Sequence, residues 1–298
     1  MRATSSASPA TDGSMESRIV VRGMLAGLVG GLLAFLFARI FAEPKVQAAI
    51  DYEDGRSAAE HALEPGHAHE HSHELFSRAV QGNVGLGVGI VVFGIAMGAL
   101  FAVVYSICLG RVGRLTPRAI ALLVAAGGFL GFYLVPFVKY PANPPAIGHE
   151  DTIKARGALY LVMVFCSILF LVGAVRLGQL LARRYGNWTA SLLAGAAFVI
   201  AIGVVMIMLP STGELAANRD AGFGNIGSET PLPLRNAQGD IVFPGFPADV
   251  LFTFRLYSVG AQLILWTAIG LVFAPLADRL LRPSGRPTET RADDPVPS

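Results

Sequence analysis

The residues best suited to chemistry lie close together, between positions 60 and 74 of the 298-residue chain. Five of the six histidines fall in this segment, and glutamates alternate with them. Neutral imidazole is a common ligand for late first-row metals, and carboxylates supply charge and oxygen donors. We therefore predict a metal-binding tract composed of His61, His67, His69, His71, His73, Glu64, Glu70 and Glu74.

The spacing of the tract lets its histidines share a face in either backbone state. In an extended segment the four histidines at positions 67, 69, 71 and 73 lie on one side. In a helix they form two pairs, His67 with His71 and His69 with His73, each four residues apart. The alternative is a solvated polar loop in which histidine is an ordinary polar residue, because a His-rich tract is a compositional signal only.

Composition indicates that the elements carrying this tract are membrane helices. Hydrophobic residues make up 53% of the chain, charged residues 15%, and the mean hydropathy is +0.55. A soluble domain carries about a quarter charged residues. The net charge of +2 is too small to indicate nucleic-acid binding, and the basic residues cluster at helix ends. Cys108 and Cys166 both lie in apolar runs, which predicts buried thiols and no disulfide framework.

The apolar runs predict an all-α, polytopic integral membrane protein with six transmembrane helices. Each run is close to the ~20 residues that a spanning helix needs. The spans are expected at about residues 19–41, 83–109, 119–138, 157–181, 188–209 and 254–276. The polar tails, residues 1–18 and 277–298, are expected to be disordered. Small residues spaced four apart predict helix faces that pack closely in lipid: Gly23, Gly27 and Gly31 in the first span, and Gly85/Gly89 and Gly94/Gly98 in the second.

Three connections between the spans are long enough to carry function. Residues 42–82 contain the tract and are predicted to form a loop with a formal charge of −5, which would concentrate divalent cations. The three prolines within residues 141–145 predict a stiff, non-helical link. Residues 210–253 form a second long loop without convincing periodicity.

The distribution of Lys and Arg predicts the orientation. The two tails and the two short turns hold 11 of these residues in 55 positions, whereas the three longer connections hold 8 in 103. The denser side is expected to be cytoplasmic. Both termini are therefore predicted inside the cell and the tract outside.

Polar groups within the spans have ordinary interpretations. Arg255 lies near Asp249 in sequence, which favours an ion pair at the membrane interface. Thioethers could serve as soft ligands along a path, although core and lipid-facing roles are preferred; the methionines concerned are Met97, Met163, Met206 and Met208. The spans contain no deep acidic residue, and the chain has no P-loop, nucleophile–base pair or HExxH helix, so an enzyme is not expected.

Three stretches together resemble a known family. They are residues 22–53 (RGMLAGLVGGLLAFLFARIFAEPKVQAAIDYE), 136–148 (PFVKYPANPPAIG) and 246–266 (FPADVLFTFRLYSVGAQLILW). They resemble the CbtA-type cobalt transporter subunit, a bacterial inner-membrane protein, over about residues 18–277. The resemblance implies cobalt uptake linked to cobalamin synthesis. It also implies a partner, a small single-span His-rich membrane subunit similar to CbtB. It supplies no transport residues to carry over.

Together, the residues and the resemblance predict an inner-membrane transporter subunit for a divalent transition metal, captured by the external tract. Cobalt is favoured, and nickel or zinc stays open because imidazole accepts all three. The metal is cargo, and no permanently bound cofactor is expected. The expected partners are the CbtB-like subunit and the lipid bilayer. The alternative is a membrane metal sensor, or a structural partner of another permease, that does not itself transport.

Overall fold

The computed structural model describes residues 10–63, 84–112, 115–145, 147–220 and 229–281. The helices are α1 (Ala10–Phe37), α2 (Glu43–Leu63), α3 (Leu86–Cys108), α4 (Pro117–Gly128), α5 (Val135–Lys139), α6 (Ile153–Met208), α7 (Ala216–Asp220) and α8 (Ala248–Leu281). Two π-helical segments, Ala38–Ala42 and Phe129–Leu134, connect α1 to α2 and α4 to α5. The 3₁₀ turns Glu150–Thr152 and Thr212–Glu214 flank α6. Strands β1 (Leu234–Arg235) and β2 (Ile241–Phe243) pair antiparallel, with Leu234 opposite Phe243.

Five helical runs in the described part of the chain are long and apolar enough to cross a membrane. They are Met15–Leu63, Leu86–Cys108, Pro117–Lys139, Glu150–Glu214 and Ala248–Leu280. The predicted class, an all-α polytopic membrane protein, is confirmed.

The longest helix, α6, folds back on itself at Gly186. This residue has φ 76° and ψ 164°, a conformation that glycine tolerates far better than other residues. A β-carbon built on Gly178 would lie 3.5 Å from Cβ of Ala194, whereas a straight helix would hold these positions about 24 Å apart. Met163 and Ile202 also share one apolar core. Residues 153–185 and 187–208 are therefore two antiparallel arms, at the positions expected for the fourth and fifth spans.

Glycines bring α1 and α3 into backbone contact. A β-carbon built on Gly94 would lie 2.8 Å from Cα of Gly31, and one on Gly98 would lie 2.8 Å from Cα of Gly27. Any larger residue would force the two helices apart. The close-packing faces predicted on α1 and at Gly94/Gly98 of α3 are confirmed, and the packing role of Gly85 stays a prediction. Gly89 faces open space, since nothing lies within 4 Å of its β-carbon position, so its predicted packing role is wrong.

The spans pack into two groups. Helices α1, α3, α4 and α8 share a core that includes Phe101, Tyr105, Trp266 and Phe273. The α5 region and the two arms of α6 share a second core around Met163.

The start of α1 and the end of α8 lie at the same end of the bundle. Arg22 of α1 donates a hydrogen bond from Nη1 to the carbonyl oxygen of Leu276 in α8. Arg118, at the start of α4, forms an ion pair with Asp278 of α8. Helices α1 and α8 therefore share this end, and residues 10–18 and 277–281, predicted as parts of disordered tails, are helical. That this end is the cytoplasmic one stays a prediction.

The first connection is not a loop throughout, so the prediction for residues 42–82 is wrong over its first half. Residues 43–63 are helical and continue α1. Charged residues end the apolar run but do not end a helix, because Ala, Glu, Gln and Lys are good helix formers. Pairs four residues apart add support: Gln47 Nε2 donates to Asp51 Oδ1 at 2.8 Å, and Arg56 Nε lies 2.9 Å from Glu60 Oε1.

Candidate functional site

Helix α2 carries the start of the predicted metal tract beyond the apolar part of the first span. It extends about 30 Å from Glu43 to Leu63 at ~1.5 Å per residue, and His61 lies in its last turn. The other predicted ligands, Glu64, His67, His69, Glu70, His71, His73 and Glu74, lie outside the described residues. The tract stays a prediction, and what the structure gives is its attachment point at the end of α2.

An aromatic contact holds α2 against the second long connection. Tyr52 is 8% exposed, and its hydroxyl donates to the carbonyl oxygen of Pro244 at 2.9 Å. Its ring packs edge-on against Phe246, with centroids 5.1 Å apart, and contacts Phe243 at 5.3 Å. Such aromatic pairs add about 0.5–1.5 kcal/mol beyond the area they bury. We call α2 and the described parts of residues 140–152 and 209–247 the cap.

Arg56 supplies a second tie within the cap. Its Nη1 donates to the carbonyl oxygen of Leu232 at 2.6 Å while its Nε pairs with Glu60. One side chain thus joins two turns of α2 to the connection that precedes β1. Helix α2, on which the tract begins, is thereby held at two points, Tyr52 and Arg56.

The centre of the cap is a buried carboxylate, Glu229, which is 1% exposed. Its Oε1 accepts hydrogen bonds from Asn218 Nδ2 at 2.6 Å and from Thr152 Oγ1 at 2.7 Å. Its Oε2 pairs with Arg156 Nη1 at 2.7 Å. A buried charge is tolerated when it is paired and hydrogen-bonded in this way. Glu229 therefore fixes the second long connection to the first turn of α6.

Gly148 makes room for this ion pair. Its φ of 139° lies in the region that favours glycine. A β-carbon there would lie 2.8 Å from Arg156 Nη1 and 3.0 Å from Glu229 Oε2. The next residue, His149, accepts the backbone N–H of Asp151 on its Nδ1 at 3.3 Å and so begins the 3₁₀ turn before α6. A side chain at position 148 would displace the ion pair, so glycine is required by space as well as by φ.

The proline-rich connection is tied to the end of α6 and to α8. The Tyr140 hydroxyl donates to the carbonyl oxygen of Pro210 at 2.8 Å. Arg255 of α8 donates to the carbonyl oxygen of Ala142 at 3.1 Å and to Asn143 Oδ1 at 2.8 Å. No ion pair between Arg255 and Asp249 occurs among the described residues, so the predicted pairing is wrong. The guanidinium instead donates hydrogen bonds to a stretch of chain that prolines keep out of a helix.

Acidic side chains give the cap a negative face. The pKa of Glu53 on α2 is raised by partial burial, by neighbouring Asp54 and by Glu150. Glu150 lies in the turn before α6, so carboxylates of α2 and of this turn repel one another. Within the described ranges, no group of three or more His, Cys, Asp or Glu side chains is placed to hold a metal ion. Among the described residues, this face therefore offers carboxylates but no preformed metal site.

The residues at the centre of the cap were not among those predicted. Glu229, Asn218 and Thr152 lie in connections without hydrophobic periodicity, and their partners come from 11 and 77 residues away along the chain. One signal was present: Glu229 is a single carboxylate in a Gly- and Pro-rich stretch otherwise poor in charge. That signal alone cannot identify Arg156 as its partner.

One comparison with known proteins identifies the family of the chain. The family model described as "Probable cobalt transporter subunit (CbtA)" matches residues 16–278. The match begins within α1 and ends within the last turn of α8, so it includes both the bundle and the cap. No curated protein and no solved structure matches the chain. On the family match, the chain belongs to the CbtA family of probable cobalt transporter subunits.

Proposed function

We propose that this chain is the membrane-spanning subunit of a system that takes up a divalent transition metal, with Co²⁺ as the favoured cargo. The family supports transport of cobalt. The excess of Lys and Arg in the tails and short turns supports an inward direction, because it predicts that the cap lies outside.

The observation that supports the proposal is how the cap holds α2, the helix on which the predicted His/Glu tract begins. The tract begins on α2, which Tyr52 and Arg56 fix to the second long connection. The base of α2 lies beside the outer end of α8, where Phe41 contacts Tyr257 with ring centroids 5.7 Å apart. Metal captured by the tract is therefore held on a helix whose other end, about 30 Å away, lies beside the ends of the spans.

The chemistry of the tract suits capture followed by release. Several histidines and glutamates in one short segment offer many weak points of attachment, since ordering a chain around one ion costs entropy. Weak, multi-site binding permits transfer onward, whereas a tight closed site would retain the ion. The negative face around Glu53 and Glu150 adds electrostatic attraction for divalent cations between the tract and the bundle.

Radiolabelled Co²⁺ uptake tests this function. Cells expressing the chain together with a CbtB-like single-span subunit are expected to accumulate Co²⁺ above vector controls, and cells expressing either subunit alone are expected to accumulate less. Metal that binds to the cell surface without entering would instead indicate a sensor, or a structural partner of another permease.

A further inference from the structure

A fully buried hydroxyl without a partner lies in the middle of the fourth span. Ser167 is 0% exposed, and its Oγ has no hydrogen-bond partner among the described residues. Three other serines in the helices behave differently and donate to the carbonyl four residues earlier, at 2.8–2.9 Å: Ser106, Ser191 and Ser258. That local bond is the usual way for a serine to satisfy its hydroxyl within a helix. Ser167 leaves its hydroxyl free inside the bundle, where an unpaired polar group is costly.

A second free hydroxyl lies on the π-helical segment that packs against this arm. The Tyr133 hydroxyl is buried and has no partner within the described part of the chain. A β-carbon on Gly131 would lie 3.2 Å from Cγ1 of Ile168, which places the π segment at the level of Ser167. The Tyr160 hydroxyl donates to the carbonyl oxygen of Phe132 at 3.1 Å. π-Helical turns inside α-helices occur frequently at functional sites.

The face of α6 that meets the π segment also carries a thioether. Positions 160, 163 and 167 are three, four and seven residues apart and so share one side of a helix. Met163 on this side is 0% exposed, whereas Met208 farther along α6 is 77% exposed. Hydroxyl oxygens and a thioether sulfur are both acceptable to a divalent metal of intermediate softness. None of these groups is charged, so their hold on a cation is weak.

We propose that the hydroxyls of Tyr133 and Ser167 and the thioether of Met163 form a transit site for a divalent cation that keeps part of its water shell. The proposal rests on the transport function proposed above and gives that function a place in the membrane. The two hydroxyls replace water ligands that the ion sheds at this point, and the thioether adds a soft contact. Because every ligand is neutral, the ion leaves as readily as it enters.

Co²⁺ uptake by single variants tests the site. Ser167→Ala and Tyr133→Phe are each expected to lower the maximal rate by about fivefold, the effect of losing one net hydrogen-bond-sized interaction. The Co²⁺ concentration for half-maximal uptake should change little, because capture takes place at the cap. Ser106→Ala is the matched control, since its hydroxyl is satisfied by Ala102 at 2.9 Å, and it should transport at the wild-type rate.

Thermal stability separates this role from a packing role. Removing a hydroxyl that has no partner should leave the melting temperature of Tyr133→Phe unchanged or raise it, so lower uptake by a stable variant supports the site. Wild-type rates in both variants, with uptake intact in the parent, would overturn the transit site alone. No uptake by the parent would overturn the proposed function instead.

Labelling supplies a readout that does not depend on uptake. In a background with Cys108→Ala and Cys166→Ala, Ser167→Cys should react with a charged, water-soluble thiol reagent because the thiol is hydrated and can ionise. Phe165→Cys is the control, since Phe165 is 67% exposed on the side of α6 that would face lipid. A Ser167→Cys variant no more reactive than this control would contradict a hydrated path.

Discussion

Replacing Glu229 by Ala should release the cap from α6 while the bundle stays folded. The substitution removes a 2.7 Å ion pair to Arg156 and two hydrogen bonds, of 2.6 and 2.7 Å, from Asn218 and Thr152. Removing one partner of a buried pair costs about 3–5 kcal/mol, because the other charge stays behind uncompensated. The Arg156 side chain is 29% exposed and can turn toward water, so we expect a cost near the lower end, about 3 kcal/mol.

Hydrogen exchange measured by mass spectrometry in detergent checks this value. A local loss of about 3 kcal/mol should speed exchange of the cap by roughly 100-fold, at about 1.4 kcal/mol per factor of ten. The peptides to follow are those covering residues 229–247 and 49–56, with α3 as an internal reference. Asp240→Asn, an exposed acid in the hairpin turn, is the matched control and should exchange at the parent rate. Equal exchange in the two variants would refute the role given to Glu229.

A double-mutant cycle refines the same test. Arg156→Ala alone should also open the cap, because it leaves the carboxylate of Glu229 buried without its charge partner. The double variant should cost less than the sum of the two single ones, since neither charge is then stranded. Strict additivity would show that Arg156 and Glu229 do not act as a pair.

Three further outcomes follow from the packing, the charge pattern and the acidic face. Gly94→Leu should strongly lower the melting temperature of the purified protein, because it separates α1 from α3. Gly89→Leu is the control and should not lower it, because Gly89 faces open space. Equal melting temperatures of the two variants would contradict the contact. A topology reporter after Ser298 should read cytoplasmic and one at Gly66 external, and a cytoplasmic signal at Gly66 would overturn the orientation. Glu53→Gln should raise the half-saturating Co²⁺ concentration about twofold at pH 7. Because the pKa of Glu53 is raised, this carboxylate loses its charge early as the pH falls, and the difference from wild type should shrink toward pH 5.5. A difference that stays constant with pH would contradict the role of the Glu53 charge.

The sequence predicted those parts of the fold that depend on local pattern. The apolar runs correspond to helices that could span a membrane, because length and hydrophobicity decide whether a segment can enter a bilayer. The contact between Gly27 and Gly98 was predictable because small residues four apart define a helix face before any partner is known.

The cap was not predictable, since it depends on contacts between distant connections. Hydropathy marked the end of the first span at residue 41 but carried no information on whether the backbone stayed helical. The ion pair of Arg156 with Glu229 joins residues 73 positions apart, and neither shows a periodicity that would reveal the other. Ser167 was equally hidden, because a serine that bonds its own helix and one that does not look the same in a sequence.

We propose that the His/Glu tract, predicted to lie outside the cell, captures metal for uptake through this chain. The most direct measurement is Co²⁺ uptake as a function of concentration, with His67, His69, His71 and His73 changed together to Ala. We expect a higher concentration for half-maximal uptake and a nearly unchanged maximal rate, because the tract feeds the path without lining it. An identical uptake curve at every concentration would contradict the capture role, and a maximal rate abolished at saturating Co²⁺ would place the histidines in the path itself.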